Sequence, residues 1–231
     1  DAEALHAAGR EGDQLARHIG IGGLDGRVAL ARIAVEVGVP ADDRRLDEAL
    51  RSGKPALAAE SYLGDDEART RTFVHAMHGR AMGIARVLVE VLDLTGRKAM
   101  LDVGGGPGTY SILLTERHPG LRSEVLELPG VAAVAREIVA AAGATERVSL
   151  RDGDYHSSDF GSGHDVVLMS GMFHRENESS CRRLIEKARA CLVPGGLLIV
   201  SDVFSDEGGC TPPFAALFET NTDARMSTEP F

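Results

Sequence analysis

Leu101-Asp102-Val103-Gly104-Gly105-Gly106-Pro107-Gly108-Thr109 is the stretch on which the fold turns. A short apolar run passes directly into glycines, and amphipathic sequence resumes behind them. A strand that becomes a helix through such a loop is the setting a nucleotide-binding turn requires. Glycines let the backbone bend sharply and let a ligand approach without a Cβ in the way. The spacing is GxGxG at 104, 106 and 108, and Thr109 stands where a dinucleotide fingerprint would carry its last glycine. A nicotinamide dehydrogenase is therefore disfavoured. Pro107 suits the first turn of the following helix, where its missing N–H costs little. Glu127 ends the next apolar run, about twenty residues on, where a carboxylate accepts from both hydroxyls of an unphosphorylated ribose.

Working outward, AMLDVG (99–104), EVLELP (124–129), RVSLRD (147–152), DVVLMS (165–170) and LLIVSDVF (197–204) read as strands. Helical stretches separate them at 107–118, 130–142 and 176–192, the last with Leu184, Ile185, Ala188 and Leu192 on one face. Pro194-Gly195-Gly196 reads as the turn into the fifth strand. Strands alternating with helices predict an α/β domain with a doubly wound, mostly parallel sheet. Its first strand should lie mid-sheet with its carboxyl end on a ligand crevice.

Upstream the sequence is helical. A break at Gly38-Val39-Pro40 between helical patterns over 27–36 and 41–50 gives a helix-turn-helix signature. Another helical stretch runs from Glu67 to about Leu94 and is expected to end at Gly96. The whole chain has 231 residues, 43% apolar and 26% charged, which excludes disorder and fibrous repeats. No run approaches the ~18 apolar residues of a bilayer span, and no secretory leader is evident. With a net charge of −10 and lysine only at positions 54, 98 and 187, the surface repels nucleic acid and anionic lipid. Arg44, Arg45 and Arg51 favour a DNA-binding helix-turn-helix, but Asp42, Asp43, Asp47 and Glu48 share that helix and oppose it. Cys181, Cys191 and Cys210 show no CxxC spacing, which points to a reducing cytoplasm.

LDVGGGPGTYSILL, then VLELPGV, GDYH, LMSGMFHRE and LVPGGLLIVSDVF together resemble the class I S-adenosylmethionine-dependent methyltransferases. More closely, the chain is similar to the small-molecule O-methyltransferases with an N-terminal helical, winged-helix-like dimerisation domain. The resemblance implies a Rossmann-like domain over 97–231, a linker helix over 81–96 and a helical dimerisation domain over 1–80. It implies S-adenosyl-L-methionine as cofactor, S-adenosyl-L-homocysteine as product, and a homodimer acting on a small, hydroxylated, aromatic metabolite. In the cofactor site, Gly104 and Gly106 would pack against the methionine part and ribose with Asp102 beneath them, and Glu127, with Leu128 beside it, would hold the ribose hydroxyls. Asp154 and Tyr155 would flank the adenine, and Ser170 and Gly171 the sulfonium end. His174 takes the family's general-base position, and Asp202 that of its acidic partner.

The chain departs from the family where Arg175 and Glu176 follow His174, since an acidic residue and a tryptophan usually stand there. That departure leaves open a homologue that binds the cofactor but catalyses another reaction, or none. The family fold also closes with further strands, and the wing after Leu50 is abbreviated, so the sequence is expected to be a fragment or to omit segments. Met77, with Phe73 and Met82, faces either the core or an acceptor pocket. Met172 and Phe173 are pocket wall or core. His75 and His78, spaced i, i+3, lack a third metal ligand and are expected to hold no metal. Glu176 and Glu178 read as a solvated helix start.

Overall fold

A computed structural model describes residues 66–204. The helix-turn-helix at 27–50, the wing segment, Cys210 and everything after Phe204 lie outside the described residues. The chain divides into two compact units, Asp1–Ser52 and Gly53–Phe231, and every described residue belongs to the second.

In chain order the elements are α1 (Glu67–Val91), β1 (Ala99–Val103), α2 (Thr109–Arg117), β2 (Arg122–Glu127) and α3 (Pro129–Ala141). Then come β3 (Val148–Asp152), β4 (His164–Ser170), a 3-10 turn (Phe173–Arg175), α4 (Glu178–Cys191) and β5 (Leu192–Ser201). The strands form one five-stranded sheet in the order β3-β2-β1-β4-β5, parallel throughout. The expected α/β architecture is present, with β1 in the middle.

Alternation along the strands explains why both faces of the sheet are buried. Leu101 and Val103 of β1, with Val167 and Met169 of β4, join Leu184 and Ala188 of α4 in one apolar cluster. Met100, Val166 and Leu168 point the other way, against Ala85 of α1 and Leu114 of α2. Val125 of β2 packs under Val131, Val134 and Ile138 of α3 together with Val74 of α1. Successive side chains of a strand face opposite sides, so β1, β2 and β4 each feed two cores. The crossovers after β1 and β2 lie on one face and the crossover after β4 on the other. The carboxyl ends of β1 and β4 therefore flank the switch point where an open parallel sheet leaves a crevice.

Several boundaries differ from the expected ones. Helix α1 stops at Val91, because Leu92 turns extended; Gly96 sits five residues further on in a tight turn at φ +83. The boundary expected at 80/81 falls inside this unbroken helix, which packs on α2 and α3 of the sheet domain. Arg71 adds an exposed two-point ion pair to Glu137, worth little by itself. Strand β5 begins at Leu192, before Pro194-Gly195-Gly196. His164 pairs with Leu192 and Val166 with Leu197, so the proline and glycines are a bulge in the strand instead of a turn ahead of it. At the amino end of the sheet, Asp165 of β4 accepts from the amides of Lys98 and Ala99 at 2.7 and 3.0 Å, clamping β1 to β4.

Candidate active site

A cleft of about 550 Å³ opens over the carboxyl ends of β1, β2 and β4. Gly104 and Gly106 line it from the loop after β1, Glu127 and Leu128 from the end of β2, and Asp154 and Tyr155 from behind β3. Ser170, Gly171, Met172 and His174 contribute from the end of β4, Asp202 from behind β5, and Met77 from α1. Gly104 and Asp202, nearly a hundred positions apart, thus meet in one depression because parallel strands end on the same edge of the sheet.

Asp102, Phe173 and Met82 are the three expected site residues that do not line the cleft. Asp102 is fully buried beneath the glycine loop. A Cβ at Gly105 would lie 2.6 Å from the Asp102 Cγ, so the loop rests directly on the carboxyl group. Its Oδ2 accepts from Ser111 Oγ at 2.6 Å, and its Oδ1 has no hydrogen-bond partner among the described residues. Burial pushes the carboxyl up to about 7 against the Ser111 bond, and the nearby Glu127 charge adds to the rise. Asp102 therefore supports the loop from below and does not face the ligand. Phe173 turns its side chain to the core cluster that includes Met169 and Leu184, a consequence of the 3-10 turn in which it stands.

The raised value at Asp102 carries a prediction. Between the ordinary aspartate value near ~4 and about 7, the native state holds a proton that the unfolded chain has lost. Stability should fall as pH rises through that window, by up to about 1.4 kcal/mol per pH unit, and level off above it. Asp102→Asn should remove that component, so that the variant is at least as stable as the parent at pH 8 but loses the advantage by pH 5. Denaturant titrations at the two pH values measure it; parallel curves for both proteins would show that Asp102 contributes nothing to the slope.

Glu127 has its carboxylate turned back onto the loop. Its Oε2 accepts from the Gly106 amide at 2.8 Å, and its Oε1 accepts from the Leu128 amide at 2.7 Å. Burial raises its carboxyl above the ordinary range, only partly offset by those two amides and by the Arg175 charge. A desolvated acceptor at the mouth of a glycine-walled cleft fits a ribose diol.

The other half of the cleft is built by strand register. Ser170 pairs with Ser201, so the residues that follow β4 and β5 emerge side by side. Gly171 then turns the chain at φ +66 into Phe173–Arg175, bringing His174 over Asp202. His174 Nδ1 lies 2.8 Å from Asp202 Oδ1. Asp202 Oδ2 accepts from the Phe173 amide at 2.7 Å, and Oδ1 also accepts from Val203 N at 2.8 Å. One carboxylate thus holds both the imidazole and the turn that carries it. Burial works to raise the Asp202 carboxyl, but His174 and these amides outweigh it and hold it below the ordinary range. The Asp202 side chain is 2% exposed and that of His174 17%. An ionised carboxylate on Nδ1 puts the ring proton there and leaves the lone pair on Nε2.

Sequence reasoning missed Glu176. It is not solvated: its side chain is 8% exposed and takes hydrogen bonds from Tyr155 and Ser180, with His156 Nε2 3.1 Å away. The signal available was its position, a charged residue where the resembled family carries an aromatic one. Glu178, by contrast, is exposed and pairs with Arg182. Of the spaced histidines, His78 bonds Thr109 Oγ1 at 2.8 Å, and no metal-holding cluster occurs among the described residues.

With this geometry in place, the comparisons with known proteins become specific. The family model for the O-methyltransferase domain matches residues 47–227. The chain belongs to that family. The O-methyltransferase-domain chain is 33% identical over 180 residues to a 3-hydroxy-5-methyl-1-naphthoate 3-O-methyltransferase of Streptomyces sahachiroi, covering 77% of this chain and 52% of that protein. It is 30% identical over 187 residues to an aclacinomycin 10-hydroxylase of Streptomyces purpurascens, covering 78% and 49%. Among solved structures, an O-methyltransferase family protein of Burkholderia thailandensis superimposes with a TM-score of 0.72 at 26% identity, over 87% of this chain and 60% of that one. The chain spans about half the length of the curated relatives it matches. No helix among the described residues is long and apolar enough to cross a membrane.

Proposed function

We propose that this chain binds S-adenosyl-L-methionine and transfers its methyl group to a hydroxyl of a small aromatic secondary metabolite. The observation that carries the proposal is the pairing of His174 with an ionised Asp202 in the same cleft as the glycine loop and the Glu127 carboxylate. The residues fit the cofactor: the glycine loop offers backbone without side chains, and Glu127 offers a buried acceptor for the ribose. Asp154 and Tyr155 would bound the adenine, and Ser170 and Gly171 the sulfonium end.

When bound, the cofactor supplies a methyl group on a sulfonium, which is its own leaving group. His174 Nε2 takes the proton from the acceptor hydroxyl as the oxygen attacks. A phenol near ~10 cannot be fully deprotonated beforehand by an imidazole near ~6.5, so the transfer accompanies attack. Asp202 holds the ring in the tautomer that can accept, and stabilises the imidazolium that forms. The apolar side of the cleft, from Phe73, Val74 and Met77 on α1 and Met172 after β4, suits a flat ring and excludes water. A hydroxylated naphthoate, the acceptor in the name of the Streptomyces sahachiroi relative, has that shape. The residues ahead of α1 take the dimerising role, making the working unit a homodimer.

A second reading is favoured by the aclacinomycin 10-hydroxylase relative and by Arg175-Glu176 after the histidine. It keeps the cofactor site without methyl transfer. Calorimetry with S-adenosylhomocysteine, followed by mass spectrometry of hydroxylated aromatic acceptors, tests both. Binding with a product heavier by one methylene supports the first reading; binding with an oxygenated or unchanged acceptor supports the second. A folded chain that takes up no S-adenosylhomocysteine removes both.

A further inference from the structure

Glu176 is a buried carboxylate that the proposed chemistry leaves without a task. It follows the 3-10 turn of His174 directly and precedes Asn177, the side-chain cap of α4. Burying an anion is costly unless its oxygens are fully engaged, and here both are. Oε1 accepts from the Tyr155 phenol at 2.8 Å and lies 3.1 Å from His156 Nε2, while Oε2 accepts from Ser180 Oγ at 2.6 Å. Two of these three partners belong to the loop after β3, so the carboxylate ties that loop to the turn after β4.

Tyr155 is the part of that loop that matters to the cleft. Its ring lies on the glycine loop so closely that a Cβ at Gly104 would be 3.4 Å from both Cδ1 and Cε1. The residue is fastened at two ends from the same side. Lys187 of α4 donates to its carbonyl, and Glu176 accepts from its hydroxyl. Burial, the Glu176 bond and the Glu176 charge all push the phenol well above its ordinary value, so it stays a donor. Tyr155, His156 and Glu176 all line the cleft.

We propose that Glu176 is a positioning residue: it holds the Tyr155 ring against Gly104 and so shapes the nucleoside end of the cleft. The proposal rests on the cofactor reading above.

Calorimetric titration of the chain with S-adenosylhomocysteine tests it, with a melting curve for every variant. Tyr155→Phe removes only the hydroxyl and should weaken binding about tenfold, and Glu176→Ala at least as much. The double variant should be no weaker than Glu176→Ala alone, because both changes break one linkage. Glu176→Gln, whose amide oxygen still accepts from Tyr155, should stay within about threefold of the parent. Lower melting temperatures with unchanged affinity in Glu176→Ala and Tyr155→Phe would make the contact merely structural and overturn the proposal, as would additive losses in the double variant. If Glu176→Ala does not fold, Tyr155→Phe decides by itself, since unchanged affinity there is equally fatal. A parent chain that fails to bind overturns the cofactor reading and this proposal together, whereas a binding parent with unaffected variants overturns only this one.

Discussion

His174→Ala is expected to lower methyl transfer by about 10²–10⁴, the usual contribution of a positioned base, while leaving affinity for S-adenosylhomocysteine nearly unchanged. The split follows from where the residue sits. His174 stands on the turn after β4 and bonds to Asp202 behind β5, whereas the glycine loop follows β1 and Glu127 ends β2, so the ring should leave without disturbing them. Only the proton acceptor is lost. Asp202 would keep its bonds to the amides of Phe173 and Val203, so the turn should hold its shape and the buried carboxylate should not be stranded. Single-turnover transfer to a hydroxylated aromatic acceptor, alongside calorimetry, separates the two effects. Turnover equal to the parent would take His174 out of the mechanism. Loss of cofactor affinity in step with turnover would mean that the ring supports the nucleoside pocket instead.

Much of this architecture could be read from local patterns, and the exceptions share a cause. The alternation of strands and helices from 99 onward, the glycine turn after β1 and the acidic end of β2 are properties of contiguous residues, and each appears where expected. Parallel strands deliver their following residues to one edge, so His174 and Asp202 could be expected close together, whereas their roles as base and partner rest on the family resemblance. Strand β5 was mistaken at its start because Pro194 and two glycines look like a turn, whereas the ladder with β4 tolerates them as a bulge. The end of α1 was misplaced for a related reason: Gly96 is a strong stop signal, but Leu92 leaves the helix first to bury Leu94 against Met100 and Leu121.

Glu176 failed differently. A glutamate beside a helix start is usually solvated, and nothing within a few residues of it reveals that Tyr155 and His156, across two loops, will enclose it. Asp102, by contrast, lies beneath the glycine loop where it was expected, because alternation along β1 turns its side chain under Gly105. Contacts between loops after different strands have no local period, so sequence patterns are silent about them. They also carry most of what distinguishes this cleft from others on the same fold.

Glu127→Ala is expected to weaken S-adenosylhomocysteine binding by at least about a hundredfold. A carboxylate shared by two ribose hydroxyls makes two charge-assisted hydrogen bonds, each worth about 1.5–3 kcal/mol where water is excluded. Affinity changes tenfold for every ~1.4 kcal/mol, so even the lower figures for two bonds reach that range. Glu127 accepts from the amides of Gly106 and Leu128. Burial has raised its carboxyl against those two amides and the Arg175 charge, so the site is held in a state that costs stability. Alanine should relieve that cost, and the variant's melting temperature should match or exceed the parent's even as binding fails. This opposition distinguishes a ligand-facing carboxylate from a structural one. If the Gly106 bond served chiefly to keep the loop folded, stability and affinity would drop together. Undiminished affinity in a well-folded Glu127→Ala would mean that the sugar lies elsewhere, and the cofactor assignment would fall with it.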